Sequence, residues 1–91
     1  MLNQSVKILI VEDDPDMAEL ICDLVEAEGW TPVTAPSAEA AQTLLQRDTV
    51  QLVLVDHNLP GLSGRAFAQR LRAQTDVGIV MVTAAGSATD R

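Results

Sequence analysis

The most constraining feature of this sequence is the run Leu52-Val53-Leu54-Val55, which contains no polar residue. Successive side chains of a strand point to opposite faces, so an unbroken apolar run needs cover on both, as in a parallel sheet between helices. Two further runs share the pattern. Val6-Lys7-Ile8-Leu9-Ile10-Val11 precedes the acids Glu12, Asp13 and Asp14, and Gly78-Ile79-Val80-Met81-Val82 lies near the other end of the chain. Thr31 to Thr34 also reads as a strand, and Pro32 confines it to a sheet edge because proline lacks a ladder N–H.

Helical periodicity fills the intervals. Asp14 reads as the N-cap of a first helix, with Pro15 at its first position and Asp16 in its first turn, where they satisfy free amides and complement the helix dipole. Met17, Leu20, Ile21, Leu24 and Val25 form its expected inner face, Cys22 falls off that face, and Gly29 is the stop. Ser37 caps a second helix that turns Ala40, Ala41, Leu44 and Leu45 inward. Leu59 to Gly64 reads as loop, and Arg65 to Gln74 as a third helix with Phe67 and Leu71 four apart. Ala84 to Arg91 reads as a loop entering a fourth helix. The order βαβαβαβ implies right-handed crossovers and helices on both faces of one parallel sheet. No repeat, low-complexity stretch or linker divides the chain, so residues 1–91 are expected to form a single α/β unit.

Composition removes whole classes of function. Thirteen acidic residues against six basic ones give a formal net charge of -7, and Lys7 is the single lysine. A duplex-binding module needs Lys and Arg to displace counterions from phosphates, so direct nucleic-acid binding is not expected. One cysteine, Cys22, excludes an internal disulfide and a multi-cysteine zinc site. The residues from Met1 to Lys7 lack the basic start and long apolar stretch of a secretory signal, and no apolar run approaches bilayer-spanning length. The expectation is a soluble cytoplasmic protein without membrane contact. Aromatic residues are scarce. Trp30, at the start of the second strand, reads as a packing residue, and Phe67 falls on the third helix.

In open α/β sheets, ligands bind beyond the carboxyl ends of the strands. Here those ends deliver Glu12, Asp13 and Asp14 after the first strand and Asp56, His57 and Asn58 after the third. Thr83, Ala84 and Ala85 follow the fourth, and no Lys or Arg accompanies any of these groups. Clustered carboxylates repel one another, and a hard divalent cation such as Mg2+ relieves that repulsion while accepting a phosphate oxygen. The set makes chemical sense as a metal-assisted phosphoryl site. His57 follows Asp56 in the strand and therefore points elsewhere.

Three segments carry a family resemblance: Val11-Glu12-Asp13-Asp14, then Leu54-Val55-Asp56-His57-Asn58-Leu59-Pro60-Gly61-Leu62-Ser63-Gly64, then Val82-Thr83-Ala84. Together they resemble the receiver domain of two-component response regulators, over essentially the whole chain. The resemblance implies a flavodoxin-like, doubly wound parallel sheet with strand order 2-1-3-4. It implies that Asp56 accepts a phosphoryl group from a sensor histidine kinase or a phosphotransfer protein. Mg2+ would be held by Asp13 directly, by Glu12 through water, by Asp56 and by the backbone carbonyl of Asn58. Thr83 matches the switch hydroxyl, and Ala84 supplies a backbone amide. Such a domain phosphorylates itself and turns over no small molecule.

The same resemblance marks a departure. Family members continue through a fourth helix, a fifth strand carrying a lysine, and a fifth helix. The chain is therefore expected to be incomplete after its fourth strand, with the fifth strand missing, and Lys7 in the first strand is no substitute for that lysine. The fourth strand is then an open apolar edge of the kind that recruits partners, giving a homodimer through that strand or by element exchange. Competing functions separate on single positions. A haloacid-dehalogenase-type hydrolase needs an Asp two residues after the nucleophile, where this chain has Asn58. A dinucleotide fold needs glycine after the first strand, where it has Glu12-Asp13-Asp14-Pro15. A degenerate receiver acting solely as a protein-interaction module would fail to bind Mg2+.

Overall fold

The computed structural model describes residues 6–56, 59 and 63–82. Within them the chain runs β1 (Lys7–Val11), α1 (Pro15–Ala27), β2 (Thr31–Ala35), α2 (Ala38–Arg47), β3 (Leu52–Asp56), α3 (Gly64–Gln74) and β4 (Gly78–Val82). The four strands form one parallel sheet in the order β2-β1-β3-β4. This is the flavodoxin-like arrangement expected from the sequence. The segment from Ala84 to Arg91, expected to enter a fourth helix, lies outside the described residues.

Each helix begins where a capping side chain stands. The Asp14 carboxylate accepts from the Asp16 amide at 3.0 Å, and Ser37 Oγ accepts from Ala40 at 3.1 Å. Ser63 Oγ accepts from Ala66 at 3.2 Å. This third cap starts α3 at Gly64, one residue ahead of the expected Arg65. After the C-cap Glu28, Gly29 adopts φ +86°, the left-handed conformation that ends a helix at little steric cost to glycine.

The core divides by sheet face. Leu9, Val11, Val53, Val55, Phe67 and Leu71 belong to the larger cluster, beneath α2 and α3. Ile8, Ile10 and Val25 form the smaller one beneath α1, with Leu52 and Leu54 half-buried at its margin. Both faces of β3 are covered, as expected, but unequally: Val53 and Val55 are fully buried, while Leu52 and Leu54 are half-buried.

Helix α1 also sits at a different rotation from the one expected. Its buried residue is Val25, with Ile21 and Cys22 packed beside it, while Leu20 and Leu24 are 53% and 61% exposed. The apolar arc from Met17 to Val25 is wider than the stripe the sheet contacts, and the helix seats on the side that includes Cys22. Burial and the neighbouring Glu26, Asp23 and Glu19 push the Cys22 thiol pKa up, which leaves it a weak nucleophile. Trp30, expected to pack, is 41% exposed. No described helix is long and apolar enough to cross a membrane.

Candidate functional site

Strand register brings the carboxylates together. Ile10 lies beside Leu54 and Val11 beside Val55 across the β1–β3 ladder. One residue further, the chain delivers Glu12 next to Asp56. The Glu12 amide donates to the Ala35 carbonyl at 3.0 Å, which extends the β1–β2 ladder past the end of β1 and holds Glu12 in line. Alternation places Glu12 after Ile8 and Ile10, and Asp56 after Leu52 and Leu54. Both carboxylates thus end apolar stripes on the α1 side of the sheet.

Glu12, Asp13 and Asp56 each offer an oxygen, and these ligand atoms lie within 4.8 Å of one another. Asp13 is exposed, whereas Glu12 is 8% exposed and is the single buried charged side chain among the described residues. Glu12 Oε2 accepts from the Asp14 amide at 3.1 Å. Burial pushes the Glu12 pKa up to about 7. Asp56 adds to the rise by charge and by a hydrogen bond to the Glu12 carboxyl, and Asp13 adds by charge, against the opposing Asp14 amide. Glu12 thus titrates near neutrality, and below it the cluster holds a proton on Glu12. Sequence reasoning placed these carboxylates as a mutually repelling set and missed the proton that one of them keeps. The signal was available in the register that continues from Val11 and Val55 to Glu12 and Asp56.

The donor set suits a hard, oxygen-seeking cation. Three carboxylates converge at the strand ends, and Mg2+ is commonly bound through a few carboxylates together with waters and phosphate oxygens. Asp14 takes no part in this cluster because its carboxylate caps α1. Asn58, Thr83 and Ala84, with His57, lie outside the described residues. Leu59, read from sequence as loop, is buried in the larger core cluster. A cavity of about 380 Å³ opens between the C-terminal halves of α2 and α3, floored by Leu45, Val50, Leu71 and Val77. It lies at the opposite end of β3 from the carboxylates and plays no part in their chemistry.

Comparison with known proteins agrees with this geometry. The family model for the response regulator receiver domain matches residues 8–91. The phosphate regulon transcriptional regulatory protein PhoB of Escherichia coli is 36% identical over 88 residues, covering 93% of this chain and 38% of PhoB. The transcriptional regulatory protein AruR of Pseudomonas aeruginosa is 34% identical over 90 residues, covering 93% of this chain and 37% of AruR. The chain thus spans under two fifths of the length of these relatives. Among solved structures, the response regulator TrrA of Thermotoga maritima, in complex with Mg(2+)-BeF, superposes with a TM-score of 0.85 at 30% identity. That match covers 93% of this chain and 75% of TrrA. The BeF3-activated N-terminal receiver domain of Klebsiella pneumoniae RstA gives a TM-score of 0.81 at 35% identity, covering 85% and 66%. The fold, the carboxylate cluster and these likenesses agree: the chain belongs to the response regulator receiver domain family.

Proposed function

We propose that the chain is a cytoplasmic phosphoacceptor in which Asp56 takes a phosphoryl group from the phosphohistidine of a sensor histidine kinase or a phosphotransfer protein. The observation that carries this reading is the convergence of Glu12, Asp13 and Asp56 on one cation-sized space at the carboxyl ends of β1 and β3. An Asp56 carboxylate oxygen attacks phosphorus while the bond from phosphorus to the imidazole nitrogen breaks, leaving an aspartyl phosphate and a free histidine. When bound, Mg2+ supplies charge neutralisation at the carboxylates and at the phosphoryl oxygens. Asp13, Asp56 and the Asn58 carbonyl would hold it directly and Glu12 through water. The Thr83 hydroxyl and Ala84 amide serve as hydrogen-bond donors to the transferred group. The Glu12 proton must leave for the full ligand set to form. No small-molecule turnover is assigned to the chain.

The test is intact-protein mass after incubation with Mg2+ and a small acyl-phosphate donor, with Asp56→Asn in parallel. A single phosphoryl adduct that disappears in the variant is the expected result. An adduct that survives in Asp56→Asn would overturn the assignment of the acceptor. A folded chain that binds Mg2+ and takes up no phosphoryl group would overturn the phosphoacceptor reading for these residues. A chain that also binds no Mg2+ would be an interaction module built on the same fold.

A further inference from the structure

The cavity between α2 and α3 has an apolar floor and a polar rim that favours one sign of charge. Val50 and Leu71 at its floor belong to the larger core cluster, and Leu45 and Val77 pack against that cluster. The floor is therefore as fixed as the core itself. At about 380 Å³ the cavity falls within the roughly 300–1,000 Å³ of small-molecule sites, which are mostly apolar with a few convergent polar groups. The rim supplies those groups. Gln42 and Gln46 stand one turn apart on α2, Asp48 and Thr49 follow the end of that helix, and Gln74 and Thr75 close α3. Thr75 Oγ1 accepts from the Val77 amide at 3.3 Å, which fixes it at the rim. Among the described residues, the three glutamine amides and the Asp48 carboxylate bond to no other protein group.

The charge around the cavity is negative. Helix α2 ends at Arg47 and helix α3 at Gln74, so both present their C-terminal ends here, each with a partial negative charge of about half an electron. Half-buried Asp48 adds a full one, and no Lys or Arg lines the cavity. Arg47 and Arg72 stand in the same last turns, but both are exposed and neither belongs to the lining. At about 100° per residue, Arg47 lies well round the helix from Gln42, Leu45 and Gln46.

We propose that this cavity is a binding site for a small organic cation: a primary ammonium on an apolar body about the size of one ring. The body rests on Leu45, Val50, Leu71 and Val77. The ammonium faces Asp48, and glutamine and threonine oxygens accept its remaining N–H groups. An anion would meet a carboxylate and two helix C-termini, and a neutral ligand would leave the Asp48 charge without a partner. Asp48 is only half-buried, so its attraction is screened and the expected affinity lies in about the millimolar range. The cavity is at the opposite end of β3 from Glu12, Asp13 and Asp56, and the inference stands apart from the phosphoacceptor reading.

The experiment is an amide NMR titration of the whole chain with phenethylammonium at constant ionic strength. Phenethyl alcohol, hydrocinnamate and ammonium chloride run in parallel as the neutral, anionic and bodiless probes. The expected result is a saturable set of shifts confined to residues 42–50 and 71–77, tightest for phenethylammonium, weaker for the alcohol and absent for hydrocinnamate and ammonium chloride. Asp48→Asn should weaken phenethylammonium by about threefold to fivefold and leave the alcohol unchanged. Gln46→Lys, at an exposed position, should weaken it similarly and serves if the first variant folds poorly. Glu26→Gln removes the same charge from α1 and should bind like the parent, which separates a local effect from the net charge of the chain. Shifts that never saturate or that spread over α1, an alcohol that binds as tightly as the ammonium, undiminished binding in Asp48→Asn or Gln46→Lys, or an equal loss in Glu26→Gln would each overturn the proposal.

Discussion

The two faces of the sheet differ in how completely they are closed. Beneath α2 and α3, Leu9, Val11, Val53, Val55 and Phe67 have essentially no exposed surface. Beneath α1, burial is confined to Ile8, Ile10 and Val25, and cover thins across Leu52 and Leu54 to exposed Val80. The cause is topological. The step from β1 to β2 runs in one direction along the sheet, while the steps from β2 to β3 and from β3 to β4 run in the other. Right-handed crossovers therefore place α1 alone on one face and both α2 and α3 on the opposite one. Strand order thus decides which face carries most of the stability, and the carboxylates stand at the end of the thinner one.

The sharpest test of this asymmetry is a pair of truncations. Phe67 is fully buried and is the largest side chain of the closed face, so Phe67→Ala should cost about 3–5 kcal/mol through lost transfer energy and the cavity left behind. For a chain this small, that is a large share of total stability. Val25→Ala removes two carbons from the thin face and should cost about 1.5–2 kcal/mol, at about 0.8 kcal/mol for each. Urea midpoints measure both. Equal losses would mean that the two faces share the load and that the comparison fails.

The thin face also ends in the group that titrates. The Glu12 pKa is raised to about 7 in the folded chain, first by burial and then by Asp56 and Asp13, whereas an unfolded chain leaves it near its ordinary 4.5. Between those values the folded state holds a proton that the unfolded state has lost. Stability should therefore fall as pH rises from about 4.5 to about 7, and the penalty is complete above that. Thermal melts in this window should show a Tm that declines with pH, with the slope flattened in Glu12→Gln. Mg2+ bound at these carboxylates, as proposed, would compete with the same proton, so its apparent affinity should fall as pH drops below about 7. A Tm that rises through this window in the parent chain would contradict the protonated Glu12.

Much of this was legible in the sequence because the informative residues act locally. Asp14, Ser37 and Gly29 mark helix ends by their own backbone chemistry, and Pro32 places β2 at an edge wherever the sheet forms. The unbroken Leu52–Val55 run announced a parallel sheet. Glu12, Asp13 and Asp56 were legible as a set because strand ends collect at one edge. The misses concern how elements seat on one another. Uneven cover of β3 follows from crossover direction, which a single strand does not encode. The raised Glu12 pKa follows from its burial and then from the Asp56 and Asp13 charges beside it, and the burial of Leu59 from its place in the core cluster with residues distant in sequence.

The rotation of α1 is the last such miss, and it predicts the smallest effect. Met17, Leu20, Ile21, Cys22, Leu24 and Val25 span an apolar arc broader than one sheet face can bury. Any rotation within that arc leaves some of them in water, and the one adopted leaves Leu20 and Leu24. Leu24→Lys should therefore change stability by no more than about 0.5 kcal/mol, as for a surface substitution without a partner. Ile21→Lys, one turn away and packed against Ile8, Ile10 and Val25, should cost several times more, because a charge would enter an apolar cluster. Urea midpoints for the pair read out the rotation directly. If Leu24→Lys proved the more damaging, α1 would be turned by about 60° from the orientation described, since Leu24 and Ile21 lie three residues apart at 3.6 residues per turn. The bare stretch beside β3 would then be partly covered by leucine.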